Sequence, residues 1–166
     1  MSTPAADVAP TTARFLRHAV EVALAAERGG NLPVAAVIAL GDEIVAAAAA
    51  RTLRPAAHPG RHAEVLALAA IPDPLVPRLA EMTCYCTLEP CLMCFGALVL
   101  HRIGGVVFGA RDPRGGAVAL LPYLAADVAA EARAVRWQGP VWPEVCDPIA
   151  ARVLARYWTA RYKSSS

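Results

Sequence analysis

Two short stretches constrain this chain more than any others: His62-Ala63-Glu64 and Pro90-Cys91-Leu92-Met93-Cys94. Each opens an apolar run, HAEVLALAA (62–70) and PCLMCFGALVLHR (90–102), that reads as a helix, and MTCYCT (82–87) between them reads as a strand. Each motif therefore falls in the first turn of its helix. In an α/β sheet, helix N-termini lie beyond the carboxyl ends of the strands, where ligands collect. The two first turns can face one point, provided the fold brings both to the same edge of one sheet.

The rest of the chain supplies such a sheet. A helix is expected from about Thr11 to Arg28, with Phe15, Ala19, Val22 and Ala26 on one face, Thr11 or Thr12 as cap and Gly29-Gly30 as the stop. PVAAVIAL (33–40), the turn residues GDE and IVAAAAA (44–50) read as a β-hairpin, although an alanine-rich helix starting at Asp42 competes with the second strand. A polar loop with Pro55 and Pro59-Gly60 leads to the helix at 62–70, which stops at Ile71-Pro72-Asp73-Pro74. GGVVFGA (104–110) reads as a strand and RDPRGGA (111–117) as a loop. An apolar segment (118–130), a short strand near 133–137 and a last helix near 145–162 complete the pattern. Strands alternating with helices predict an α/β layered domain with a mixed sheet that starts with a hairpin and continues by crossovers. A chain of 166 residues suits one domain, expected over 11–163, between tails at 1–10 and 164–166.

Composition excludes more than it suggests. Apolar residues make up 57% of the chain, yet stretches such as 34–40 and 43–50 are far shorter than the ~18 residues of a membrane span. MSTPAADVAP has neither a basic nor an apolar signal region, so a soluble, cytoplasmic protein is expected. Five cysteines in such a chain read as metal ligands or buried thiols rather than disulfides. A net charge of +2 does not by itself announce nucleic acid.

The chemistry lies in the two motifs. Cys91 and Cys94, i and i+3, project from one helical face, and Pro90 can open the helix without losing a needed N–H. Free N–H groups and the helix dipole favour their thiolates. With His62 they make three zinc ligands and leave a fourth tetrahedral position for water, the pattern of catalytic zinc. Glu64, two residues from the histidine, is placed to take a proton from that water and deliver it elsewhere. Two alternatives stand beside this reading: a structural zinc on Cys84, Cys86, Cys91 and Cys94, and a cysteine nucleophile with a histidine base. The first conflicts with Cys84 and Cys86 sharing a strand face with Met82, as core positions do. The second leaves one cysteine and Glu64 without roles. His58 reads as a loop residue, His18 as a helix-surface residue, His101 as a helix end, and Cys146 as a buried thiol.

H-x-E followed by P-C-x-x-C, together with LPVAAVIA, HAEVLAL, YCTLEPCLMCFGAL and HRIGGVVFGARDPRGGA in that order, resembles the cytidine-deaminase-like superfamily. Within it the chain is most similar to the tRNA adenosine deaminases, which convert adenosine to inosine at the wobble position, and the resemblance covers nearly all of 11–162. It implies a three-layer α/β/α sandwich around a mixed five-stranded sheet and a homodimer. It also implies Zn2+ held by His62, Cys91 and Cys94, Glu64 as proton shuttle, and a substrate pocket lined beside the zinc by the backbone around Glu89, Pro90 and Cys91.

The departures concern the substrate. The family places an asparagine at the end of the second strand, where this chain has Ala50, or Arg51 if the loop shifts by one; a missing polar contact of this kind weakens discrimination. The usual glycine after Pro-Val is Ala35, and Phe95 replaces a smaller residue beside the second cysteine. Arg152, Arg156, Arg161 and Lys163 with Tyr157, Trp158 and Tyr162 resemble the tail that holds an anticodon stem, but fit equally an amphipathic closing helix. The expected activity is hydrolytic replacement of an exocyclic amine by a carbonyl, with ammonia released from an aminated purine or pyrimidine. Three readings result: adenosine in tRNA as substrate, a free base, nucleoside or other small aminated heterocycle, and a noncatalytic zinc-stabilised binding domain.

Overall fold

The structure, a computed structural model, describes the backbone of residues 8–162 and the side chains of 8–156. The first helix, α1 (Pro10–Arg28), begins one residue earlier than the sequence predicts. Ala9 holds the N-cap position and Pro10 the first turn, so neither Thr11 nor Thr12 caps it. Its buried stripe is Phe15, Leu16, Ala19, Val20 and Ala23, rotated from the expected one, with Val22 and Ala26 only half-buried. Gly30, at φ +88°, lets the chain leave the helix while Asn31 N–H donates to Ala26 O over 3.0 Å.

Strands β1 (Ala35–Leu40) and β2 (Glu43–Ala49) form the expected hairpin. Leu40 pairs with Glu43 across a two-residue turn in which Gly41 has φ +59°. That turn overrides the helix preference of the alanine run, because glycine adopts the required conformation without a Cβ clash. Helix α2 (Ala63–Ala69) follows, then a 3-10 segment, Asp73–Glu81, that the sequence did not suggest. Strand β3 (Met82–Leu88), helix α3 (Leu92–Leu100) and strand β4 (Gly105–Ala110) stand close to their expected places. The apolar segment after 118 is a 3-10 turn, Val118–Tyr123, joined to a helix, α4 (Ala126–Ala134). Strand β5 is only Arg136–Gln138, and α5 (Pro143–Tyr162) starts slightly before the expected position near 145.

The sheet order is β2-β1-β3-β4-β5. β1 is antiparallel to both its neighbours, whereas β3, β4 and β5 are parallel. Alternation along the strands sorts the core into two faces. Ala36, Ile38, Cys84, Cys86, Val106 and Phe108 meet Ala63, Ala67 and Leu68 of α2 and Leu98 of α3. Val37, Ala39, Tyr85 and Val107 meet Phe15, Leu16 and Ala19 of α1. Cys146, Ile149, Ala150 and Val153 of α5 extend that second layer over Leu88 and Ala110. The result is the mixed five-stranded, three-layer architecture that the resemblance implied. Among the described residues, no helix is long and apolar enough to cross a membrane.

The connection between α3 and β4 is tight. Gly104 donates its N–H to Leu79 O over 3.1 Å, and a Cβ built there lies 2.1 Å from Ala80 O, a backbone atom. Gly104→Ala is expected to cost about 2–3 kcal/mol through overpacking. Urea unfolding should show a lower midpoint at unchanged slope.

Candidate active site

β2 and β3 run in the same direction because each is antiparallel to β1, and β4 is parallel to β3. The carboxyl ends of β2, β3 and β4 therefore share one edge of the sheet, and the segments 50–62, 89–91 and 111–117 all lie along it. His62 is the N-cap of α2, with Glu64 in its first turn; Cys91 is the N-cap of α3, with Cys94 in its first turn. Pro90 precedes the N-cap instead of opening the helix, and its carbonyl accepts from Ala117 N–H over 3.0 Å.

These two helix starts bring three donor atoms together. Cys91 Sγ lies 3.4 Å from His62 Nδ1, Cys94 Sγ 3.6 Å from His62 Nδ1, and the two sulfurs 3.6 Å from each other. Zinc–sulfur bonds of ~2.3 Å and zinc–nitrogen bonds of ~2.0 Å in a tetrahedron require edges of about 3.8 Å between sulfurs and about 3.5 Å between sulfur and nitrogen. The observed triangle fits. Cys84 and Cys86 lie wholly in the core among the α2 and α3 contacts, and the metal-capable group found among the described residues comprises His62, Cys91 and Cys94. A four-cysteine site is therefore not formed.

The electrostatics favour a thiolate at Cys91. The hydrogen bond with Cys94, supported by His62, pulls the Cys91 thiol down to about 4, while the same contact and burial push Cys94 up. The interaction with Cys91 raises His62. Glu64 is 3% exposed, its Oε2 accepts from Cys94 Sγ over 3.2 Å, and burial pushes its carboxyl up. A carboxyl so raised holds and releases a proton nearer neutrality than an exposed one does.

A cleft of about 620 Å³ opens beside this group. Of the residues expected in the pocket, Ala50 and Glu89 line it; Arg51, Pro90 and Phe95 do not. Arg51 is exposed, and its N–H donates to Arg61 O over 2.9 Å. Phe95 is buried on the far side of α3, stacked on Trp137 with ring centroids 4.8 Å apart, so it has no part in shaping the cleft. The sequence reading missed Thr52, Asp112 and Gly115, and Val153 and Leu154 of α5, all of which line it.

Glu89 is held rather than free. Its carboxylate accepts from Asp112 N–H and Val118 N–H, each over 3.3 Å, and Arg111 Nη1 stands 3.8 Å away. Burial pushes its carboxyl up against these contacts. Gly116 lies so close that a Cβ there would be 2.6 Å from Glu89 Oε2. Glu89 thus clamps the 111–118 segment to the end of β3. At the other rim, Arg152 makes a bidentate pair with Glu27 at 2.9 Å, and Arg156 Nη1 donates to Asn31 O over 3.4 Å. These two arginines tie α5 to α1 and its exit. The side chains of Tyr157, Trp158, Arg161 and Tyr162, and all of Lys163, lie outside the described residues.

An α/β sheet that presents one imidazole, two thiols and a buried glutamate at its carboxyl edge defines the class of zinc-dependent deaminases. Residues 10–110 match the model of the cytidine and deoxycytidylate deaminase zinc-binding region, and the chain belongs to that family. It is a deaminase with zinc as its cofactor. The chain is 41% identical over 112 residues to the tRNA-specific adenosine deaminase of Bacillus subtilis, covering 66% of this chain and 68% of that one. It is 37% identical over 106 residues to the enzyme of the same name from Haemophilus influenzae, covering 63% and 61%. A solved tRNA:A34 deaminase superposes with a TM-score of 0.59 at 34% identity, over 64% of this chain and 82% of that one. The guanine deaminase of Nitrosomonas europaea, at 21% identity and a TM-score of 0.62, shares the fold over 93% of this chain and 85% of its own.

Removing the Glu89 carboxylate should loosen the 111–118 segment. Glu89→Ala leaves two backbone N–H groups without their acceptor and is expected to cost about 2–3 kcal/mol. Glu89→Gln, which keeps Oε1 as an acceptor, should cost less. Thermal unfolding of the two variants side by side checks the order.

Proposed function

We propose that His62, Cys91 and Cys94 hold the zinc ion, that Glu64 carries the protons, and that the substrate is adenosine within tRNA, converted to inosine. The observation that carries this reading is the donor triangle of 3.4–3.6 Å with Glu64 Oε2 against one of its corners. Zinc in that site supplies Lewis acidity that lowers the pKa of water toward ~7. Glu64 takes one proton from the attacking water as oxygen adds to the ring carbon bearing the amine. It returns that proton to the ring nitrogen and moves a second one to the departing amine. The balance is one water consumed, one C–N bond broken, one carbonyl formed and one ammonia released. The apolar lining from Leu32, Val34, Leu88 and Val153 excludes bulk water and accepts the flat ring.

The relatives at 37–41% identity support the tRNA substrate. A second reading, deamination of a free base or nucleoside, is favoured by the absence of the family's asparagine at the end of β2, where Ala50 lines the cleft. A cytoplasmic homodimer completes the proposal. Exposed Leu92, Met93 and Leu100 on α3 supply apolar surface for a second copy, and light scattering on the purified chain tests the dimer.

Glu64→Ala is expected to keep zinc at the wild-type level and lower kcat by about 10²–10⁴-fold. Cys91→Ser should lose the metal. Zinc content by elemental analysis and ammonia release measure both, and full activity of Glu64→Ala would overturn the assigned role. Ammonia release from free adenine, guanine and adenosine beside an anticodon stem-loop separates the two substrates; turnover of the small molecules with none of the RNA sinks the tRNA reading.

A further inference from the structure

Thr52 lines the cleft on the side built by the exit of β2, and it is 8% exposed. Among the described residues, its Oγ1 is the buried side-chain oxygen that has no hydrogen-bond partner in the protein. Such a group carries a desolvation cost with no return in the folded chain, and it calls for a reason. The surrounding backbone is firmly held. Thr52 O accepts from His58 N–H over 3.0 Å, Arg51 N–H donates to Arg61 O, and Asn31 Oδ1 accepts from both Leu53 and Arg54 N–H at 3.1 and 3.0 Å. The backbone that carries the hydroxyl is therefore held by its own segment.

The other polar side chains of the lining are committed elsewhere. Glu89 and the Oδ1 of Asp112 accept from backbone N–H groups, His62 and Cys91 belong to the metal group with Cys94, and Glu64 is taken up by the proposed proton transfers. The remaining wall around Thr52 is Leu32, Val34, Ala50, Leu88, Val153 and Leu154, which offers a substrate no hydrogen-bonding side chain.

We propose that Thr52 is a specificity-determining residue whose hydroxyl hydrogen-bonds the polar edge of the bound aminated heterocycle, or a sugar hydroxyl attached to it. This deepens the deaminase reading and rests on it. A hydroxyl both donates and accepts, so it serves a ring nitrogen, a ring N–H or a ribose hydroxyl. Its role is to orient the ring while Ala50, two residues earlier on the same side, supplies only shape.

The test compares Thr52→Val and Thr52→Ser with wild type in the zinc-loaded full chain, on free adenine, guanine, adenosine and the anticodon stem-loop. Valine keeps the volume and removes the hydroxyl. Its kcat/KM is expected to fall about tenfold or more, as for a lost hydrogen bond to substrate, while its zinc content stays and its unfolding temperature does not drop. Serine should recover most of the loss. A loss on free bases assigns the contact to the ring, and a loss confined to adenosine and the RNA assigns it to the sugar. The proposal is overturned if Thr52→Val keeps kcat/KM within twofold of wild type, or if its loss follows a fall in unfolding temperature that serine does not rescue. Failure of the underlying reading shows separately, as Glu64→Ala retaining activity.

Discussion

The reversed strand β1 is the constraint on which the site depends. Because it lies antiparallel between β2 and β3, those two strands point the same way although only one short hairpin separates β2 from β1. A helix that follows β2 and a helix that follows β3 must then start at the same edge of the sheet. His62 and Cys91 become N-caps of neighbouring helices, with their side chains 3.4 Å apart across 29 residues of chain. Glu64 and Cys94 follow within one turn of each. A register change in the β1–β2 pair would move the start of α2 against α3 and open that triangle. The Gly41 turn that sets the register is thus as much a part of the site as its ligands.

Two buried carboxylates stand at this edge, and their partners separate their roles. Burial pushes both Glu64 and Glu89 up. Glu89 spends its oxygens on two backbone N–H groups and faces Arg111, which fixes it as a clamp. Among the described residues, the side-chain hydrogen bond to Glu64 comes from Cys94, a corner of the donor triangle, which sets its carboxyl at the place where the proposed chemistry occurs. Desolvation alone would make the two look alike.

The metal end of the cleft was legible in the sequence because each half is local: a histidine and glutamate, or two cysteines, within one helical turn. The packing of Cys84 and Cys86 was legible for the same kind of reason, since strand alternation places them with Met82. Phe95 was misread because adjacency in sequence is not adjacency on a helix. One residue beyond Cys94 is a rotation of ~100°, which sends the ring to Trp137 rather than to the cleft. Thr52 was legible by strand alternation: Ala50 is buried, Arg51 exposed and Thr52 buried, so the alternation of β2 continues past its last ladder pair. Nothing local to α5 announces that Val153 and Leu154 reach the cleft, because that depends on how α5 docks.

The wall opposite the metal is a single hydrogen-bonded assembly. Asn31, just beyond α1, receives Leu53 and Arg54 N–H on its side chain and Arg156 on its backbone carbonyl. Arg152 adds the pair with Glu27 in the last turn of α1. The exit of β2, the end of α1 and the Arg152–Arg156 stretch of α5 are therefore positioned by one another, although they are distant in sequence. A substrate that presses on Thr52 presses on the segment that Asn31 holds, and through Asn31 on the helix that supplies Val153 and Leu154. The metal centre needs only two helix starts, and the substrate wall needs three separate elements to agree. That difference is why the chemistry of the site can be common to a family while the shape of its cleft changes with a few residues far apart in the chain.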